Sequence, residues 1–108
     1  SSGNILYVSG QIPLDPESGE MVGNSFAEQC HRVLLNLKII LEAGGSGLKH
    51  VLKVTIYMKN LAQFGELNEI YSEYFDDSKP ARVCVEVSNL PKGADVEMDA
   101  IAEISSVN

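Results

Sequence analysis

The sequence predicts an α+β domain, two helices packed on one face of a mixed β-sheet, in the order β-β-α-β-α-β-β. Three observations carry this reading. Short β-rich segments stand at both ends of the chain, and two stretches between them place apolar residues at three- and four-residue steps. The whole is 108 residues long, room for one core, so 1–108 is read as a single domain.

Ile5-Leu6-Tyr7-Val8-Ser9 is the first strand and leads through Gly10-Gln11-Ile12 to Pro13. Asp15-Pro16-Glu17-Ser18-Gly19 is a turn by composition, since Asp and Ser bond the local backbone and Gly tolerates positive φ. A brief second strand, Glu20-Met21-Val22, follows. The period then changes. Phe26, Cys30, Val33, Leu34, Leu37 and Leu41 form one apolar stripe on a helix, opened by a Ser25/Glu28 capping box and stopped by Gly44-Gly45. Val51–Met58 is a strand with Leu52, Val54, Ile56 and Met58 on its apolar face. Asn60 caps a second helix with the stripe Leu61, Phe64, Leu67, Tyr71, Tyr74 and Phe75, and Pro80 closes it.

The last quarter reads as a hairpin, Arg82–Val87 against a strand from Val96 to Ala102, joined through Asn89-Leu90-Pro91-Lys92-Gly93. Val83, Val85 and Val87 share one face of its first strand, leaving Arg82, Cys84 and Glu86 on the other. In the second strand Val96, Met98, Ala100 and Ala102 oppose Glu97, Asp99 and Glu103. The sheet face away from the helices is expected to carry Thr55, Tyr57, Arg82, Cys84 and Glu97. It is too apolar in places for water, and a second copy of the chain would cover it.

Composition narrows the function. Hydrophobic residues make up 44% and charged residues 21%, with a mean hydropathy of zero, an ordinary globular balance. No apolar run approaches the roughly 18 residues of a membrane span. Eight basic against fifteen acidic residues give a net charge of −7, which opposes binding to phosphate backbones. Two cysteines form no disulfide framework and point to a reducing compartment, cytoplasmic or, if a presequence was removed, mitochondrial. No initiator Met and no leader stands before Ile5, consistent with trimming or processing.

Arg82 is the sharpest candidate. It opens a valine-rich strand directly after Pro80-Ala81, and its planar fork suits a carboxylate. By composition alone, the commoner role is pairing with an acidic residue; the shared face with Cys84 tilts the balance, because an idle cation is costly to bury there. Glu97 is the second candidate, a carboxylate able to orient water or carry a proton, although Asp95 and Asp99 on the same face suggest plain solvation. Pairing Glu86 with Glu97 sets Arg82 roughly 13 Å along the same face. Three arrangements stay open: an offset or bulged hairpin, a ligand gripped at both ends, or residues from different protomers. Cys84 reads as a pocket wall, with no His near it to make it a nucleophile. His31, His50 and the cysteines form no metal set, and Gly45-Ser46-Gly47 is a loop.

These pieces resemble a known pattern. Val8-Ser9-Gly10-Gln11-Ile12-Pro13, Asn68-Glu69-Ile70-Tyr71, Lys79-Pro80-Ala81-Arg82-Val83-Cys84-Val85, Leu90-Pro91-Lys92-Gly93 and Val96-Glu97-Met98-Asp99-Ala100-Ile101-Ala102 look like the Rid family. These are the reactive intermediate deaminases, also called the YjgF or liver perchloric-acid-soluble protein family. The resemblance implies a chorismate-mutase-like fold and a homotrimer with clefts between subunits. It also implies hydrolysis of 2-imino acids, or their enamine tautomers, to 2-keto acids and ammonia without metal or organic cofactor. It assigns Arg82 to the substrate carboxylate and Glu97 to the attacking water. Ser9, Gly10 and Cys84 would line the cleft, with Asn68 at its rim. The sequence begins after the family's usual Gly-Pro-Tyr-Ser-Gln-Ala-like first strand, whose Tyr reaches the cleft. Its true absence would affect both full activity and the sheet edge beside Ile5–Ser9, whereas mere trimming would cost the native protein nothing. A non-catalytic module for small carboxylates, and an endoribonuclease or translation inhibitor, are the competing functions. The second lacks a basic stripe and a His pair.

Overall fold

Ser25 adopts extended geometry (φ −137°, ψ 160°), and its hydroxyl accepts the Glu28 N–H at 3.2 Å, starting helix α1, Phe26–Ala43. The anticipated stripe from Phe26 to Leu41 is buried in full. Beneath it lie strands β1 (Ile5–Gln11), β2 (Val51–Met58), β3 (Ala81–Glu86) and β4 (Val96–Glu103), with helix α2 (Phe64–Tyr74) beside α1. The computed structural model describes residues 4–23, 25–76 and 79–104. The α+β class and the two helices over a mixed sheet stand as expected. The strand foreseen over Glu20–Val22 is reduced to an isolated bridge between Leu14 and Met21.

The hairpin is not there. The strands run in the order β1-β4-β2-β3, so β2 separates β3 from β4. β3 lies parallel to β2, and β4 runs antiparallel to both β2 and β1. A parallel neighbour needs a crossover, and α2 supplies it. After β3 the chain turns through Lys92 (φ 56°) and Gly93 (φ 71°), left-handed conformations that redirect it into β4.

This pairing reverses the faces of β3. Arg82 lies opposite Val54 and Cys84 opposite Ile56, so both share the helix-covered face with the core. Val83 and Val85, 41% and 37% exposed, occupy the uncovered face instead. Arg82 and Cys84 were therefore expected on the wrong side. β4 alternates as foreseen, with Val96, Met98, Ala100 and Ala102 buried. In β2 a register shift against β4 between Val51 and Lys53 turns Leu52 outward, while Val51 is buried with Val54, Ile56 and Met58. No helix among the described residues is long and apolar enough to cross a membrane.

Candidate active site

Arg82 is held by three residues of α2. Its Nη1 donates to Asn68 Oδ1 at 2.6 Å, and its guanidinium carbon lies 4.8 Å from the Tyr71 ring centre and 5.2 Å from that of Phe64. Both separations fall within cation–π range. No carboxylate pairs with Arg82 among the described residues, where the one ion pair is Lys59 with Asp95. The guanidinium borders a hollow of about 430 Å³ whose wall includes Asn68, Tyr71, Phe75, Lys79 and Pro80. Asn68, assigned by resemblance to the rim, is thus tied to Arg82 itself. Tyr71 is buried, which pushes its phenol up to about 12 against the pull of Arg82, and its hydroxyl has no hydrogen-bond partner among the described residues.

Cys84 sits half-buried next along this face, its thiol 3.4 Å from Met58 Sδ. Burial raises its pKa and Arg82 only partly opposes that, which keeps the thiol protonated and suits a wall better than a nucleophile. A similar hollow of about 450 Å³, between Lys38, Glu42, His50 and Glu73, touches neither Arg82 nor Glu97. Among the described residues no group of His, Cys, Asp and Glu is placed to hold a metal ion.

Glu97 lies on the other face of the sheet. It stands opposite Tyr57, which in turn stands opposite Val85, so the expected Glu86–Glu97 pairing does not form. Burial, and then the charge of Asp99, raise its pKa and make it a better proton acceptor than a free carboxylate. Tyr57 donates to Asp99 at 3.1 Å beside it. Gly10 packs directly on Glu97, and a Cβ there would fall onto the carboxylate. Ser9 and Gly10 are exposed on β1 just before the chain meets Met98 through a register shift.

The sheet thus divides the candidates into two groups. Arg82, Asn68 and Cys84 stand on the helix side, while Glu97 with Gly10 stands on the uncovered side. Phe64 and Tyr71 were read from the sequence as core. The signal available was their spacing: 64, 68 and 71 fall on one side of a helix, and the polar Asn68 interrupts an otherwise apolar row.

Known proteins share this arrangement of elements. The model of the endoribonuclease L-PSP family matches residues 1–104. The chain belongs to the Rid (YjgF) family. A RutC family protein of Pyrococcus abyssi is 57% identical over 100 residues, covering 93% of this chain and 79% of that protein. The crystal structure of the Escherichia coli YjgF gene product superposes with a TM-score of 0.88 at 38% identity, over 95% of this chain and 83% of that one. Escherichia coli TdcF, solved with bound serine, gives 0.88 at 35% identity over 97% and 84%. Rid membership thus rests on nearly the whole chain.

Proposed function

We propose that the protein hydrolyses 2-imino acids and their enamine tautomers to 2-keto acids and ammonia, in clefts assembled between copies of the chain. The observation that carries this reading is Arg82: a guanidinium fixed beside a hollow with no acidic partner among the described residues. Such a group is prepared for an incoming carboxylate, and a bidentate pair there favours acids over uncharged imines by about ten- to a hundredfold.

The remaining step needs an oriented water. Glu97 accepts a proton from water as its oxygen adds to the C=N carbon, giving a carbinolamine. That proton goes to the nitrogen and completes the neutral carbinolamine. Glu97 then carries the hydroxyl proton to the same nitrogen, the C–N bond breaks, and ammonia leaves as the carbonyl forms. The enamine first takes a proton on carbon. Because Arg82 and Glu97 stand on opposite faces, a cleft that uses both takes one from each of two protomers. The exposed Tyr7, Val83 and Val85 on the uncovered face support such an assembly, and the homotrimer implied by resemblance is the state proposed.

Ammonia release from 2-iminobutanoate tests the reading. Arg82→Ala is expected to abolish turnover while the protein stays folded and assembled; retained turnover overturns the assignment. A second reading, a module that binds small carboxylates without turning them over, draws support from the serine held by TdcF. Binding of 2-ketobutyrate with no ammonia released would favour it. Ribonuclease action fits poorly with a net charge of −7 and with Glu97 and Asp99 side by side on the uncovered face.

A further inference from the structure

We propose that Phe64, Asn68 and Tyr71 form a clamp that fixes the orientation of the Arg82 guanidinium and thereby sets the selectivity for small carboxylates. The inference deepens the deaminase reading and rests on it for the choice of ligand. The three residues come from one helix at steps of four and three, so α2 presents them as a single rigid row. Asn68 takes one hydrogen of Nη1 at 2.6 Å, and the two rings lie 4.8 and 5.2 Å from the guanidinium carbon.

An arginine has considerable rotamer entropy to lose on binding. A clamp removes most of that freedom before the ligand arrives, which is the general advantage of preorganisation. With Nη1 committed to Asn68, Nε and Nη2 have no partner among the described residues and form a fork for a carboxylate. The orphaned Tyr71 hydroxyl adds a discriminating detail. Among the described residues it holds no bond that would explain a tyrosine here, so the ring is the part that clamps. Phe64, Asn68 and Tyr71 are therefore positioning residues, acting through Arg82.

The test uses the full-length protein in its native assembly and 2-ketobutyrate as the probe. The chain has two arginines, Arg32 and Arg82, so the Arg82 Nε–Hε resonance is readily assigned. In the unliganded protein that group is expected to be as ordered as the backbone. Phe64→Leu, at a position 37% exposed and so tolerant of change, should loosen it and weaken 2-ketobutyrate about three- to thirtyfold. Asn68→Ala should do the same. In turnover the Phe64 variant should show a raised KM with kcat kept.

The proposal is overturned if Phe64→Leu and Asn68→Ala keep wild-type affinity, if the Arg82 side chain is mobile in the unliganded protein, or if the wild type binds no 2-ketobutyrate. The deaminase reading fails separately. Clamp variants that lose affinity in a protein that releases no ammonia would leave the clamp standing and remove the enzyme.

Discussion

Gly10 and Glu97 show how one missing side chain can serve a site. A Cβ at Gly10 would land on the Glu97 carboxylate, so Gly10→Ala must displace it. We expect turnover to drop at least tenfold with little change in stability, since Gly10 is exposed; ammonia release and a thermal melt decide this. Glu97 itself carries a signed prediction. Its pKa is raised in the folded chain, so the folded state holds that proton more tightly than the unfolded one. Stability therefore falls as pH rises from the unfolded to the folded pKa, and the deficit is fully present above the latter. Glu97→Gln should thus match or exceed wild-type stability at neutral pH while turnover is lost. The wild-type rate should decline on acidification through the raised Glu97 pKa. Arg82 stood out in the sequence at the opening of a strand, because Pro80-Ala81 fix the strand start. Its face was not legible, since alternation groups residues by parity without saying which parity is covered.

The elements show where sequence patterning stops. α1 was readable end to end, because a 3.6-residue period, a Ser cap and a Gly pair agree. Removing the cap by Ser25→Ala should cost about 1 kcal/mol in a denaturant titration. β3 misled for a physical reason. Three alternating valines resemble a core face, yet the register with β2 turns Val83 and Val85 out and seats Arg82 opposite Val54. Only the row of Phe64, Asn68 and Tyr71 on α2 makes that position comfortable for a cation, and the alternation within β3 does not show how α2 packs against it. The short link after β3 likewise suggested a hairpin, but the chain crosses β2 and β4 pairs on its far side, between β2 and β1. Sequence adjacency gives no information about a strand inserted between two others.

At the scale of the whole molecule the uncovered sheet face dominates. Val83 and Val85 are exposed there, next to the half-buried Thr55 and Tyr57. Val83→Lys is expected to leave each chain folded, being a surface change, and to break the proposed assembly. Sedimentation should report a smaller species and ammonia release should fall with it. That this face would be partly apolar was legible from the strands, although Val83 and Val85 stand there in place of the expected Arg82 and Cys84.

Opposite placement of Arg82 and Glu97 has a consequence for inheritance of activity. Arg82→Ala and Glu97→Gln, each expected to be inactive on the proposed reading, keep the half the other lacks. Unfolded together and reassembled in equal amounts, they should regain about a quarter of the native rate, because chance brings one intact half of each kind to that share of junctions. Apart, neither is expected to release ammonia. A defect in either half would then be masked wherever both versions are made in the same cell.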